Sequence, residues 1–416
     1  MNEGASEQKF HRETQYTQAD VHATVKTQAE RQAVRVKQMH SHHSHSGQFC
    51  SHGHPGSTLE GMLQRAQQLG FSTYGLSEHV PRQFERELYP EEREEGTDPD
   101  KLLRKFEDYV VEARRLQSIY AKGKAPMKVL VGAETENLSR DTLAWLKAEA
   151  FRTDESTTQS DGACIGKGVV DYLVGSVHHV GAFPSSNPCL NDLEPSKTAI
   201  PIDFDAETFQ RALQHFKSDR FDDQAAHLRL CISYFESVYA LVDAFRPEVI
   251  GHLDLCRLFR PATLIFESDS VSRDTDPQYS QLQSQLATSC EAVIRLAVSY
   301  GALFEINTAS VRKGWATPYP APDVLRRILD LGGRICLSDD AHGPSHVAIS
   351  YTEARQYLVD VGVKVLWRLE LVGGGDGSKG SDGAPVTFAR GTRAVPVTNW
   401  EDDVFWTELE KRRETS

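Results

Sequence analysis

Residues 57–79, STLEGMLQRAQQLGFSTYGLSEH, contain one complete helix–strand unit of the kind from which α/β folds are built. The first four residues have the capping-box pattern of a helix start. Apolar residues then recur at helical spacing up to Leu69, and Gly70 is typical of a helix end. A short apolar strand follows at 73–76, and Ser-Glu-His comes directly after it. The unit therefore predicts a helix, then a buried strand, with polar side chains where the strand ends.

The same order of strand, loop and helix recurs about seven times. Short apolar strands are predicted at 128–131, 171–177, 248–250, 302–306, 334–337 and 363–371, and helices at 100–121, 207–218, 226–245, 278–299, 322–331 and 351–361. Continuously apolar strands are typical of a parallel sheet buried on both faces. The sequence thus predicts an α/β fold, most economically one TIM-like (β/α) barrel of seven or eight units. A doubly wound open sheet is the alternative.

The predicted domain organisation is a single barrel domain with polar additions. The barrel is expected over 39–400, after a polar, flexible N-terminal extension, 1–38, and before a C-terminal tail or helix, 401–416. Surface loop insertions are expected near 151–168, 183–206 and 373–384. The strongly acidic run 85–100 is expected to be a solvated loop.

Charge and cysteine content exclude several classes of partner. The net charge of -13 argues against a nucleic-acid or anionic-membrane surface, because both require a basic face. The seven cysteines form no CxxC pair, which is typical of a reduced intracellular protein and not of a disulfide framework. No apolar run approaches membrane-spanning length. We therefore expect a cytoplasmic protein with a small-molecule substrate.

Histidines are concentrated immediately before the first predicted unit. Six of the chain's 16 histidines fall within 40–54, a segment of 15 residues. An H-x-H pair on a strand points both imidazoles to the same side, because side chains alternate with a period of two. Two converging imidazoles are half of a divalent-metal site. A solvated histidine tract without function is the alternative that composition alone leaves open.

Further metal-binding residue types follow nearly every later strand. They are His79 after the second strand, Glu134, then His178 and His179, then His252 and Asp254, and finally Asp339, Asp340 and His342. In an α/β barrel these strand ends share one mouth, where active sites are built. A site of imidazoles and carboxylates suits Zn, Fe or Mn better than Ca. The pattern predicts a catalytic centre with two or three divalent metal ions.

These motifs, in this order, resemble those of the PHP family, in the version of its histidinol-phosphate phosphatases, including the fungal members. The resemblance spans about 39–345 and implies a distorted (β/α)7 barrel with a trinuclear metal centre. It implies that His43 and His45 hold one metal ion together with Glu134 and Asp340. It further implies that Glu134 bridges to a second ion, and that a third lies among imidazoles. The remaining implied ligands are His178 and His252 for the second ion, and His52, His79 and His342 for the third.

The sequence departs from the family pattern at two points. His52 lies one residue further from His45 than in some bacterial members, and the last motif is S-D-D-A-H where G-S-D-A-H is usual. We align Asp340, not Asp339, with the family's ligand. His40, His42, His54 and His179 stay outside the implied ligand set.

The resemblance implies hydrolysis of L-histidinol phosphate to L-histidinol and phosphate, in histidine biosynthesis. Turnover is expected to depend on Asp340, Glu134 and His178. Arg312 is a candidate phosphate ligand, with an ordinary surface ion pair as the open alternative, and Arg257 is a weaker candidate. Acidic residues such as Glu136 or Glu78 could receive the substrate ammonium. Asp254 is a candidate to orient a metal ligand.

Three other functions stay open at this stage. Another PHP phosphoesterase, acting on a nucleotide or a sugar phosphate, would keep the same metal ligands. An amidohydrolase barrel also begins with H-x-H, but it would usually place a bridging lysine where Glu134 stands here. A non-catalytic metal-binding module is the third alternative, and the presence of all nine ligand types argues against it.

Overall fold

The computed structural model describes residues 37–123, 127–147, 169–182, 185, 187–218, 222–266, 277–372 and 387–413. The chain divides into two units, Met1–Lys37 and Gln38–Ser416. Nearly all of the predicted N-terminal extension lies outside the described residues, as do the predicted insertions at 151–168 and 373–384. The fold below is that of the second unit.

A parallel sheet of short, buried strands forms the centre of this unit. Seven strands in the described residues make up the sheet, in the order β1-β2-β3-β4-β7-β8-β9, and every neighbouring pair is parallel. The described strands are β1 (His40–Ser41), β2 (Thr73–Leu76), β3 (Lys128–Thr135), β4 (Tyr172–Gly175), β5 (His179–Val180), β6 (Ile200–Pro201), β7 (Val249–Ile250), β8 (Leu303–Asn307), β9 (Arg334–Ser338), β10 (Val365–Leu371) and β11 (Thr392–Thr398).

The two edges of this sheet meet just beyond their strands, so the sheet is nearly closed into a barrel. Ser44 forms a parallel bridge with Ala341. The backbone N–H of His45 donates to the Ala341 carbonyl at 2.7 Å, and the N–H of Asp340 donates to the His43 carbonyl at 3.0 Å. The predicted TIM-like (β/α)7 barrel is confirmed, and the open-sheet alternative is excluded because an open sheet would leave these edges apart.

Helices surround the barrel and bury their apolar faces on it. The first begins as its sequence predicts, although Thr58 is the N-cap residue and accepts from the N–H of Gly61. Gly70, at φ 93°, ends it in the left-handed conformation that glycine adopts without strain. Among the described helices, none combines the length and apolar content that crossing a membrane requires. The described helices are α1 (Leu59–Leu69), α2 (Pro90–Glu94), α3 (Pro99–Lys122), α4 (Arg140–Trp145), α5 (Ala206–His215), α6 (Asp223–Phe245), α7 (Pro277–Tyr300), α8 (Ala309–Arg312), α9 (Pro322–Asp330), α10 (Tyr351–Val361) and α11 (Val404–Arg413).

The lower part of the barrel interior is filled by side chains. Tyr172 is fully buried there, and its hydroxyl donates to the His42 carbonyl at 2.8 Å. A Cβ on Gly75 or Gly132 would lie 2.2 Å or 2.4 Å from the Tyr172 side chain. Glycine at these two positions therefore makes room for the tyrosine ring, and the interior below the barrel mouth is a packed core and not a channel.

An antiparallel hairpin covers the amino-terminal end of the barrel. The strand predicted at 363–371 is real, but it pairs with β11 in this hairpin and does not join the barrel. The β11 strand was not predicted. Leu369 of the hairpin packs in the interior cluster, Glu370 contacts Lys128 at 2.7 Å, and the Arg334 guanidinium lies 4.2 Å from the centroid of the Trp367 ring. Because Lys128 and Arg334 begin their strands, the hairpin lies at the end of the barrel opposite the carboxyl ends.

Candidate metal centre

The structure brings all nine predicted ligands together at the carboxyl end of the barrel. Alternation along β3 explains how this happens for one of them. Leu130 packs in the interior core, Gly132 faces the Tyr172 ring, and Glu134, two residues further on, reaches the barrel mouth. Five overlapping groups of described side chains have ligand atoms within 4.8 Å of one another there, and two of them, His45–His79–Glu134 and His45–Cys50–Glu78, overlap the others. The remaining three match the implied ion sites: His43, His45 and Asp340; Glu134, His178 and His252; and His52, His79 and His342, with Cys50 beside them.

Three pairs of imidazole nitrogens face each other at this mouth. The Nε2 atoms are 3.1 Å apart in His43 and His45, 3.2 Å apart in His178 and His252, and 3.1 Å apart in His52 and His79. Two nitrogens bound to one tetrahedral zinc ion, each at about 2.0–2.1 Å, would be about 3.3 Å apart. An N–H···N hydrogen bond spans a similar distance, so these distances alone do not distinguish a metal site from hydrogen-bonded imidazoles. The carboxylate between the pairs does.

Glu134 is that carboxylate, and it is only 1% exposed. The Nε2 atoms of His43, His45, His178 and His252 lie 3.2, 3.3, 3.5 and 3.3 Å from its oxygens. Neither oxygen accepts a hydrogen bond with good geometry from any described residue. A buried carboxylate without donors is costly, whereas cations between it and the imidazoles satisfy both kinds of ligand. The residues therefore fit a centre of several metal ions.

Three buried glutamates hold the imidazoles from behind. Glu305 lies 3.1 Å from Nδ1 of His43, Glu136 lies 2.6 Å from Nδ1 of His178, and Glu78 lies 3.6 Å from Nδ1 of His45. A carboxylate at Nδ1 favours the tautomer whose Nε2 lone pair faces the metal. Sequence reasoning missed Glu305, although Leu303, Glu305 and Asn307 share one face of β8 by alternation.

Without metal ions, these carboxylates favour protonated imidazoles. Burial by itself lowers the pKa of His45 and His178, but the surrounding glutamates outweigh it and raise the pKa to about 9 and about 10. Burial raises the pKa of Glu134, but the neighbouring histidines hold it well below its usual value. Protons therefore compete with metal ions for the site, and metal affinity should fall as the solution becomes more acidic.

Asp340 adopts a backbone conformation that few residue types tolerate. Its φ is 48°, in the left-handed region where Asp and Asn are enriched among residues other than glycine. The side chain lies 3.7 Å from Nε2 of His43 and 3.6 Å from Nε2 of His45. Asp339, in contrast, accepts hydrogen bonds from Ser41 and from the Ala348 N–H, so it stabilises the loop and does not face the cavity.

The carboxylates predicted to receive the substrate ammonium are not available for it. Besides its contact with His178, Glu136 accepts a hydrogen bond from the Tyr89 hydroxyl at 2.9 Å. Glu78 accepts from both the N–H and the hydroxyl of Ser46. Both glutamates are at least 98% buried, so the prediction that they bind substrate was wrong.

The predicted roles of Arg257 and Asp254 are both wrong, because the two side chains pair with each other. Arg257 is fully buried and pairs with Asp254 and with Asp323, the latter at 3.0 Å, so it is not a phosphate ligand. Asp254 accepts from Arg257 and from the N–H of Ala321, so it orients no metal ligand. The two side chains form a buried ion pair that holds the loop after β7.

Arg312 lies at the mouth of the cavity with its guanidinium exposed to it. It donates to the Asp340 carbonyl at 3.1 Å and to the Asp339 carbonyl at 3.4 Å. No described carboxylate forms an ion pair with it, so the surface ion pair left open by the sequence is not observed. The remaining donors of the guanidinium are free to meet an anion.

Two histidines of the cluster that are not implied ligands, His40 and His42, have structural roles. The N–H of Leu337 donates to Nε2 of His40, and the N–H of Leu369 donates to Nε2 of His42, both at 3.0 Å. Burial, followed by the charge of Arg368, lowers the pKa of His40 to about 3, which keeps it a neutral acceptor. These imidazoles are therefore neither solvated nor metal ligands.

Two segments predicted to be solvated loops form the outer wall of the cavity. Within 85–100, helix α2 places Tyr89 and Glu91 against the cavity, and the Tyr89 ring stacks on His179 at 5.5 Å. Within 183–206, β6 pairs with β5, which brings Asp203 and Phe204 to the same cavity. The cavity holds about 370 Å³, enough for a small phosphate ester.

A nearly closed parallel barrel whose carboxyl end gathers imidazoles around a buried carboxylate defines a metal-dependent hydrolase of the TIM-like class. The chain belongs to the PHP domain family, whose model matches residues 41–309.

Relatives of known name support this membership. The chain is 36% identical to the "Probable histidinol-phosphatase" of Schizosaccharomyces pombe, over 81% of this chain and 92% of that protein. It is 29% identical to the "Histidinol-phosphatase" of Saccharomyces cerevisiae, over 89% of this chain and the whole of that protein. The crystal structure of HisK from Listeria monocytogenes has the same fold, with a TM-score of 0.53 and 20% identity over 75% of this chain and 98% of that chain.

Replacing Glu136 with glutamine tests the carboxylates behind the imidazoles. The amide keeps the shape but loses the charge that favours the correct His178 tautomer. We expect metal affinity and kcat/KM to fall by roughly 10- to 100-fold, the usual effect of such a partner. Zinc titration and steady-state kinetics would measure this. Glu236→Gln is the matched control, because Glu236 lines a different cavity and accepts from Ser185. Unchanged zinc affinity in Glu136→Gln would contradict the role.

Proposed function

We propose that this protein hydrolyses L-histidinol phosphate to L-histidinol and inorganic phosphate, using two or three divalent metal ions. The observation that carries the proposal is the Glu134 carboxylate, buried at the barrel mouth among imidazoles, none of which among the described residues donates to it with good geometry. The substrate is supported by two yeast relatives, both called histidinol-phosphatase, that align over more than four fifths of this chain. The activity belongs to the biosynthesis of histidine.

The ligands would divide into three sets, as the sequence predicts. His43, His45 and Asp340 would hold one ion with Glu134, and Glu134 would also reach the ion of the second set. The second set adds His178 and His252, and the third consists of His52, His79 and His342. Three of the five overlapping ligand groups among the described side chains have this composition, which supports the assignment. Imidazole-rich sites of this kind suit Zn, Fe or Mn.

The chain's own residues bind and orient the ester. Bound divalent ions supply water of lowered pKa and neutralise charge on the phosphoryl group. Arg312 would donate to a phosphoryl oxygen, since a guanidinium matches phosphate geometry. Tyr89, Phe204 and Tyr319 line the cavity and reduce the water around the bound ester, which strengthens these charge interactions.

The predicted role of Arg312 gives a test of the phosphate position. We expect Arg312→Ala to lower kcat/KM for histidinol phosphate by roughly 10- to 100-fold, the value of a hydrogen bond to a charged group. The exposed Arg326→Ala is the control, as this side chain lies on the outer helix α9. Steady-state kinetics would decide, and inhibition by inorganic phosphate should weaken in parallel. Unaltered phosphate inhibition in Arg312→Ala would place the phosphate elsewhere.

The direct test of the function is phosphate release by the purified protein, together with its metal content. Histidinol phosphate should be turned over at least tenfold more efficiently than a sugar phosphate, a nucleoside monophosphate or a dinucleotide. A preference for any of those would instead favour another PHP phosphoesterase. Stoichiometric metal without turnover of any ester would favour the non-catalytic alternative.

We also infer a cytoplasmic location and no nucleic-acid partner. The inference is supported by the net charge of -13 and by the six described cysteines, all unpaired and five of them buried. Cell fractionation tests the location. Recovery of the protein in an oxidising compartment would contradict it.

A further inference from the structure

We propose that Asp203 and Glu91 form a subsite for the ammonium group of the substrate. We call these two residues the carboxylate pair. The inference rests on the proposed function, since histidinol phosphate carries an amine beside its ester. The proposed subsite places the substrate amine beside two residues outside the family motifs. It replaces Glu78 and Glu136, which the sequence had suggested for this role.

The backbone fixes Asp203 beside the second metal group. Strand β6 pairs with β5, with Pro201 opposite His179, and the N–H of Ile202 donates to the His178 carbonyl at 2.9 Å. The next residue, Asp203, lines the cavity. The position of its carboxylate is therefore tied to the strand that follows a predicted metal ligand.

Glu91 reaches the same part of the cavity from a different element. It lies in the first turn of α2, directly after Tyr89 and Pro90, and the Tyr89 ring stacks on His179. His179 thus contacts the wall segment that carries Glu91 and pairs with the one that carries Asp203. Both carboxylates line the cavity on its His178–His179 side.

Both half-buried carboxylates have oxygens without a partner. Asp203 forms no hydrogen bond or ion pair with any described residue, and Oε2 of Glu91 is buried without a donor among them. Burial raises the pKa of Glu91, the Glu91 backbone N–H lowers it, and the charges of Glu94 and Asp203 raise it further. Two unpaired carboxylates in one cavity repel each other and lose solvation, and a cation between them relieves both costs. The pair is therefore suited to an ammonium ion.

The remaining charges of the cavity give the substrate a direction. Arg312 and Lys313 line the cavity on the side of Asp340, whose carbonyl accepts from Arg312. The cationic residues and metal ligands therefore lie near the proposed phosphate position, and the carboxylate pair lies near the proposed amine position. A substrate with an anionic and a cationic end would bind in one orientation, whereas an ester without an amine would leave the pair unsatisfied.

A comparison of two substrates tests the subsite. The probes are L-histidinol phosphate and 3-(imidazol-4-yl)propyl phosphate, which differs only by the missing amine. We expect Asp203→Asn and Glu91→Gln each to lower kcat/KM for histidinol phosphate by about 10- to 100-fold, mainly through KM. Turnover of the deaminated ester should stay within about threefold of wild type in both variants. Glu107→Gln, an exposed carboxylate of the outer helix α3, is the control and should change turnover of neither substrate.

The possible outcomes distinguish failure of the proposed subsite from failure of the proposed function. If kcat/KM falls for both substrates, or for neither, in Asp203→Asn and Glu91→Gln, the proposed role of the carboxylate pair is overturned. If the wild-type protein fails to hydrolyse histidinol phosphate, the proposed function itself fails. Loss confined to the substrate with the amine, with normal turnover of the deaminated ester, would establish the subsite, because a folding defect would affect both.

Discussion

Replacing Glu134 with glutamine is expected to lower kcat for histidinol phosphate by at least about 1,000-fold, the upper end of what one electrostatic group contributes. The carboxylate stands within 3.5 Å of four imidazole nitrogens from three strand ends, two from each of the first two metal groups. The amide has the same shape but no charge, and its NH₂ group would point at nitrogens that must themselves bind metal. Zinc binding should weaken with turnover, which elemental analysis measures independently of the assay.

Two control variants make this result interpretable. Glu236→Gln changes a half-buried glutamate at another cavity and should retain wild-type turnover and metal content. Asp340→Asn should behave like Glu134→Gln, whereas Asp339→Asn should alter chiefly the thermal stability, because Asp339 binds backbone and hydroxyl donors. Near wild-type rates and full metal content in Glu134→Gln would refute the ligand assignment. A larger loss of turnover and metal content in Asp339→Asn than in Asp340→Asn would show that the last motif is aligned incorrectly.

Removal of metal ions with a chelator is expected to abolish turnover and to destabilise the fold. Without cations, the imidazoles of His43, His45 and His178 bind protons, so several positive charges crowd around one buried carboxylate. A ligand that binds only the folded state stabilises it by about 2.7 kcal/mol at 100 times its dissociation constant. The melting temperature should therefore fall on chelation, and this change can be measured without an activity assay.

Adding Zn, Mn or Fe back to the chelated protein should restore both properties. Calorimetry with and without chelator measures stability, and phosphate release measures turnover. The chelated Glu134→Gln variant is the matched control, since a weakened site should show a smaller drop in melting temperature. Full activity after complete metal removal would exclude the proposed metal-dependent hydrolysis.

Local sequence signals predicted most of the barrel. Apolar periodicity gave the long helices, although the short helices α2, α4 and α8 were not predicted. Short apolar runs gave most of the barrel strands within a few residues of their observed bounds. The prediction failed where tertiary contacts override local preference. The strand at 365–371 has the composition of a barrel strand, but the barrel closes through Ser44 and Ala341 before reaching it. The acidic run around Glu91 looks solvated, yet α2 packs on the cavity, with Glu92 buried against Arg82.

The sequence by itself determined which residue types stand at each strand end, because strand and helix periodicities are local and the motif order is written along the chain. From these the barrel class and a metal centre at its mouth followed, and the resemblance to the PHP family motifs supplied the nine candidate ligands. Only the tertiary structure decided which carboxylates face the cavity and which support an imidazole from behind. Glu78, Glu136 and Asp203 are all carboxylates at the carboxyl end of the barrel, so residue type alone does not separate them. Their roles differ because hydrogen-bond partners far away in the chain occupy the first two and leave the third unpaired.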